Sequence, residues 1–149
     1  MFGQYGPSET FKNIWALLLT KVLFPGARLV RRPFYLRGGK CRFVYGEGFT
    51  CGYSCRFDLA GDGTPLIVGK NCKINDRVHI SAHESVVIGD NVLMASNIFI
   101  SDNSHGSYDD DPSLPDMAPD DRKIVTKPVH IGDNVWQRRD HRYQCGGDS

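Results

Sequence analysis

The chain has 149 residues, 40% hydrophobic and 23% charged, with a formal net charge of +1. That length supports one domain with a modest core, and the near-neutral balance removes any bulk electrostatic case for a nucleic-acid protein. The charge is nonetheless segregated: residues 10–46 carry eight bases and no acid, whereas residues 102–121 carry seven aspartates and no base. Such asymmetry orients a protein on an anionic surface or aligns it with a partner subunit, unless the two faces are merely solvated.

The first predicted element is an amphipathic helix. After Pro7, Ser8 offers a cap and Glu9 an acid in the first turn; Phe11, Ile14, Trp15, Leu18, Leu19 and Val22 share one stripe, and Pro25 and Gly26 end it. The uncharged stretch 14–19 is too short to span a bilayer, and no small-residue cleavage site follows, which excludes a signal peptide. Two roles stay open: a cap over the end of the next domain, or a helix lying on a membrane with the following arginines on acidic lipid.

From residue 45 the period changes to six. Inward candidates come in groups of three: Tyr45, Cys51 and Phe57; Val68, Ile74 and Ile80; Ile88, Met94 and Ile100; then Ile131. A glycine follows each first member (Gly46, Gly69, Gly89, Gly132), and Phe49, Cys72, Val92 and Val135 sit four places after it. Neither a helix nor a simple strand repeats at six. This is the hexapeptide period of a β-solenoid, in which each short strand turns one side chain inward and the corner passes through a glycine or a small polar residue.

First members of successive groups lie 23, 20 and 43 residues apart, although three hexads make only 18. The surplus always follows the third hexad, so the insertions near 60–65, 82–85 and 101–127 should leave one shared corner. Insertions stacked on one edge build binding faces, and a structureless loop as long as the last is a functional candidate. Three of the five cysteines, Cys51, Cys55 and Cys72, occupy inward positions and read as core packing in a reducing compartment. Cys51 and Cys55 lack the spacing and the second pair of a zinc site, so no metal is expected.

The run from Ile74 through Asn75, Asp76, Arg77, Val78 and His79 to Ile80, the run Val87-Ile88-Gly89-Asp90-Asn91-Val92-Leu93-Met94-Ala95, the segment 100–106 with His105, and Val129 to Trp136 together resemble the hexapeptide-repeat O-acetyltransferases. Within that family the chain is most similar to the galactoside and maltose type and to the branch that decorates lipopolysaccharide or capsule, over about residues 35–136. The resemblance implies a mainly β fold: a left-handed parallel β-helix of about three to four coils, with the N-terminal α-helix and a long protruding loop. It also implies a homotrimer with each active site between two subunits, acetyl-CoA as donor and a sugar or lipid-linked glycan as acceptor.

Acyl transfer to a hydroxyl needs a base for the hydroxyl proton and donors for the developing oxyanion, and a neutral imidazole suits that base near pH 7. His105, at the start of the long loop, matches the family's general base without a gap from Asn75 onward. Asn75 matches a residue that hydrogen-bonds the acceptor; by itself it reads as a corner residue, since Asn tolerates left-handed backbone. Asp102, assigned to the acceptor side, is close enough in sequence to orient the His105 ring. Trp136 matches an aromatic beside the pantetheine arm of the coenzyme, or is a surface aromatic. His79, His83 and His130 read as surface residues and residues 109–111 as solvated loop.

The period fails at Gln137, where an aliphatic residue is due, and Arg138, Arg139, Asp140, His141 and Arg142 follow. A charged hexad cannot fill a solenoid interior without burying unpaired ions. Residues 137–149 are therefore expected to form an irregular tail, with the chain truncated relative to its family, as a frameshift or premature stop would leave it. The domain organisation expected is 1–26 helix and cap, 27–136 repeat domain with loop 101–127, and 137–149 tail. Two functions follow: an acetyl-CoA-dependent sugar O-acetyltransferase of surface polysaccharide biosynthesis, or a catalytically impaired solenoid that only oligomerises or binds. The expected location is the cytoplasm, at the inner face of the membrane if the helix lies on lipid.

Overall fold

In the computed structural model, residues 6–107 and 116–138 are described. Helix α1 (Pro7–Leu23) is followed by a partial coil made of β1 (Leu29–Val30) and β2 (Phe34–Arg37). Three full coils come next: β3 (Phe43–Tyr45), β4 (Thr50–Cys51) and β5 (Cys55–Leu59); β6 (Leu66–Val68), β7 (Lys73–Ile74) and β8 (His79–Ala82); β9 (Val86–Ile88), β10 (Leu93–Met94) and β11 (Phe99–Ser101). The insertion then opens with β12 (Asn103–His105) and returns through β13 (Ile124–Thr126), before β14 (Val129–Ile131) and β15 (Trp136–Gln137) begin a last coil.

Three parallel sheets form the faces. Sheet A holds β1, β4, β7, β10 and β15; sheet B holds β2, β5, β8 and β11; sheet C holds β3, β6, β9 and β14. On sheet A, Thr50 pairs with Lys73, Lys73 with Leu93 and Leu93 with Trp136. Those offsets, 73 − 50 = 23, 93 − 73 = 20 and 136 − 93 = 43, are the intervals between first members in the sequence. All the insertions, 60–65, 83–85 and 102–128, leave between sheets B and C, and 38–42 does the same one coil earlier.

The solenoid begins before its six-residue pattern becomes visible. Leu29 and Val30 pair with Thr50 and Cys51, and Phe34 and Leu36 pair with Cys55 and Phe57. Arg31, Arg32 and Pro33 break the hydrophobic rhythm there, but strand pairing depends on the backbone and survives the polar side chains. The core changes character along the axis. Phe24, Phe34, Phe43, Phe49 and Phe57 meet edge-on at 5.1–5.6 Å in the first coils, and Ile74, Ile80, Ile88, Met94, Ile98 and Ile100 fill the later ones. Edge-to-face geometry suits the ring quadrupole.

The helix seals the first end of the solenoid. It begins at Pro7 behind Gly6, without a side-chain cap, so Ser8 lies inside it instead of capping it. Ala16 and Thr20 are its buried residues, the Val30 N–H donates to the Thr20 hydroxyl at 2.9 Å, and Phe24 enters the core against Phe34. The bond matters because Val30 lies on the edge strand of sheet A, and its N–H, unlike those of Leu29 and Arg31, which donate to Phe49 and Cys51, faces away from the next coil. Among the described residues no helix is long and apolar enough to cross a membrane.

The corner glycines serve close approach. Positive φ falls on Asn71, Asn91 and Asn134, two residues after Gly69, Gly89 and Gly132. A Cβ at Gly69 would collide with the Asp90 carboxylate, which reaches across to accept the Lys70 N–H at 2.7 Å. The expected glycine or small polar residue at the corner is Gly48 in the first coil and asparagine in the later ones, while Gly69 and Gly89 let the next coil's aspartate in.

At the far end Gln137 departs from the expected tail. It belongs to β15, is 2% exposed, pairs with Met94 and accepts the Ala95 N–H at 2.9 Å through its carbonyl. Its side-chain amide has no partner among the described residues. The ladder bonds need only its backbone, which explains why a polar residue can occupy an inward position here. The rest of the expected tail, from residue 139, and the loop aspartates 109–111 lie outside the described residues, as does Cys145.

Candidate active site

The B–C corner above the third coil is built on one buried carboxylate. Asp102 is fully buried and accepts the backbone N–H groups of His83 at 2.8 Å, Glu84 at 2.7 Å and Ser85 at 2.8 Å. Asn103 donates to Asp102 at 3.1 Å and to the Ser81 hydroxyl at 3.0 Å, and the Lys127 N–H closes on the Asp102 carbonyl at 2.9 Å. Three backbone donors that would otherwise be orphaned at the 83–85 turn are satisfied by this one side chain.

The same carboxylate fixes where the long insertion starts. From it β12 and β13 run as an antiparallel ribbon, Asn103 opposite Thr126 and His105 opposite Ile124. The insertion expected to be structureless therefore has an ordered base. His105 is exposed at the ribbon's outer end, and its ring hydrogen-bonds no described residue. Gly106 follows with φ +98° and donates to the Lys123 carbonyl at 3.0 Å, a backbone turn that a side chain would strain.

The expected role of Asp102 is thereby corrected. Its oxygens are occupied by the 83–85 backbone, so it is open neither to an acceptor sugar nor to the His105 ring. It fixes the base of the ribbon that carries His105. The expectation was reasonable on sequence distance alone, but the partners that claimed this carboxylate lie 17–19 residues earlier in the chain.

Asn75 sits elsewhere. It is exposed on the A–B corner, between β7 and β8, with its N–H donating to the Met94 carbonyl at 3.2 Å and its carbonyl accepting from the Cys55 thiol at 3.0 Å. Its backbone is not left-handed; Arg77, two residues on, carries the positive φ of that corner. Sheet B lies between Asn75 and His105, so one chain does not bring the two side chains together. Trp136 is 65% exposed on sheet A beside Leu93, with the Arg138 guanidinium 5.5 Å from its ring centroid.

Sequence reading missed a polar cluster on the outer surface of sheet B. Arg56 pairs with Asp58 at 2.6 Å, His79 Nε2 meets the same carboxylate oxygen at 2.8 Å, Arg37 approaches at 3.7 Å, and the Phe99 ring lies tilted against the His79 ring with centroids 5.0 Å apart. Burial alone would raise the Asp58 carboxyl, but hydrogen bonds from Arg56 and His79 outweigh it and hold the carboxyl below its ordinary range. Stacking the coils by the repeat would have revealed it, since Arg56 and His79 are register partners, as are Arg37 and Asp58.

Cys51, Cys55 and Cys72 are fully buried. A hydrogen bond to Cys55, and then burial, pushes the Cys51 thiol well up; burial raises Cys72. The same bond lowers Cys55, which is closed to reagents by its position. None has the exposure that a nucleophilic cysteine needs. Among the described residues no group of three His, Cys, Asp or Glu side chains could hold a metal ion.

Compared with known proteins, the chain is 39% identical over 136 residues to WbbJ of Escherichia coli (strain K12), which carries the name of a lipopolysaccharide biosynthesis O-acetyl transferase. The match covers 89% of this chain and 68% of that protein. No family model and no solved structure matches the chain.

Proposed function

This chain belongs to the hexapeptide-repeat O-acetyltransferases, and from that premise we propose that it moves an acetyl group from acetyl-CoA to a sugar hydroxyl in surface polysaccharide biosynthesis. The 39% identity to a protein named for that biosynthesis carries the substrate class, and the exposed imidazole on a preorganised ribbon carries the mechanism.

His105 takes the proton of the acceptor hydroxyl as its oxygen attacks the thioester carbonyl. The tetrahedral oxyanion collapses, the carbon–sulfur bond breaks, and the leaving thiolate recovers the proton from the imidazolium as coenzyme A. No acyl-enzyme forms, in keeping with buried cysteines. Asn75 holds the acceptor beside the reacting hydroxyl, and Trp136 flanks the pantetheine arm.

On this reading the complete site lies between subunits of a homotrimer, which the placement of Asn75 and His105 at different corners of one chain supports. In a closed ring the A–B corner of one subunit meets the B–C corner of the next, which turns sheet B and its Asp58 cluster toward the threefold axis. Asp102 is a positioning residue. The second reading, a solenoid that oligomerises without turnover, draws on the buried Gln137 amide in the coil that bears Trp136.

Release of coenzyme A from acetyl-CoA in the presence of sugar acceptors separates the readings. Turnover that falls in His105→Ala supports the transferase; equal rates in the two proteins remove His105 from the mechanism, and no turnover by either favours the binding module.

A further inference from the structure

The helix that seals the solenoid docks by its less apolar side. Its contacts with the coils run through Asn13, Ala16, Thr20 and the following Phe24: Asn13 meets Arg31 at 3.1 Å and the Tyr53 hydroxyl at 3.2 Å, and Thr20 receives the Val30 N–H. The opposite side is left bare. Phe11, Ile14, Trp15, Leu18 and Val22, spaced i, i+3, i+4, i+7 and i+11, form one continuous stripe, with Phe11 72% and Val22 77% exposed. A sealing helix needs no such stripe, and five large apolar side chains in one exposed row are a contact surface.

Charge decides what would cover it. At 100° per residue Lys12 and Lys21 fall on the two borders of the stripe, and Glu9, the helix's sole acid, falls on the opposite side. Both lysines are exposed and neither pairs with an acid among the described residues. Arg28 is exposed just beyond the helix, and no acid occurs between residues 10 and 46. A second copy laid on this face would bring like charges together, whereas an anionic bilayer accepts the apolar row among its acyl chains and the lysines among its headgroups.

We propose that α1 docks the protein on an anionic lipid surface, with the Phe11–Trp15–Leu18–Val22 row inserted at the interface and Lys12 and Lys21 on acidic headgroups. The helix thus has two working faces, one closing the solenoid and one facing the membrane. The inference does not rest on the acetyltransfer reading and stands or falls separately from it.

Flotation of the full chain with vesicles tests it. The protein should float with phosphatidylglycerol-containing vesicles and not with pure phosphatidylcholine, and added salt should weaken the binding. Trp15→Glu/Leu18→Glu should reduce binding at least tenfold with an unchanged melting profile, since both positions are exposed. Lys12→Glu/Lys21→Glu, which leaves the apolar row intact, should cost about fivefold or more for each lysine. Failure of the wild-type chain to float on anionic vesicles overturns the proposal, as does flotation of both variants equal to that of the wild type. A wild-type chain that does not float but sediments as a larger species than Trp15→Glu/Leu18→Glu would assign the stripe to a second copy and overturn it too.

Discussion

Two of the solenoid's corners turn the chain tightly, and the third lets it out. At the C–A corner Asn71, Asn91 and Asn134 stack in left-handed conformation with their amides joined at 3.4 and 3.2 Å, while Asp90 and Asp133 cap the coil beneath. At the A–B corner Ser54, Arg77 and Asn97 carry the positive φ, and Asp76 caps Tyr53. At the B–C corner these ladders give way to insertions, and the capping duty passes to Asp102, which binds three N–H groups instead of one. The tight corners carry shape. The open corner carries shape through Asp102 and exposes His105 at the end of β12.

Substitutions at the two kinds of corner should therefore separate rate from stability. His105→Ala has the largest expected effect, about 10²–10⁴-fold on kcat/KM as befits a lost general base, with an unchanged thermal midpoint because the side chain is exposed. Asp102→Ala should blur the distinction. It strands three backbone donors at about 1–3 kcal/mol each before water repairs some of them, and it should lower both the midpoint and kcat by freeing the ribbon. If Asp102→Ala left kcat intact in the folded protein, the ribbon would not be what positions His105.

Gly69→Ala sharpens the other side. Its Cβ meets the Asp90 carboxylate and the Gly89 backbone, so the midpoint should fall by the equivalent of about 1–3 kcal/mol, while kcat/KM changes little at temperatures where the protein is folded. The smallest effect belongs to Asp58. Its folded carboxyl is held below the unfolded value near 3.9, so its contribution is present above that pH and disappears as pH falls through the lower folded value. The difference in midpoint between wild type and Asp58→Asn should accordingly be constant at neutral pH and vanish in acid; a difference that persists there would show that the variant acts through packing alone.

The repeat made most of this fold legible, because a six-residue period and its interval surplus are properties of the chain alone. The register of sheet A follows the sequence intervals, and the open corner is where the surplus falls. Three things escaped. The partial coil at residues 29–37 is hidden because arginine and proline interrupt its apolar rhythm while the backbone pairs regardless. Asp102 was visible as a loop acid, but its partners are backbone groups, which no side-chain pattern advertises. The apolar stripe of α1 is legible in the sequence, yet periodicity cannot say which side of an amphipathic helix meets its own protein. Here small residues, Ala16 and Thr20, gave the closer approach.

The proposed site is shared between subunits, with His105 from one and Asn75 from the next. Mixing two inactive variants tests it directly. His105→Ala and Asn75→Ala should each lose most activity alone, and subunits unfolded and reassembled together should regain it, since about a quarter of the interfaces in randomly assembled rings carry both native residues. Recovery to that level is the predicted result. Mixed rings that stay as inactive as either parent, despite proven exchange of subunits, would contradict a shared site.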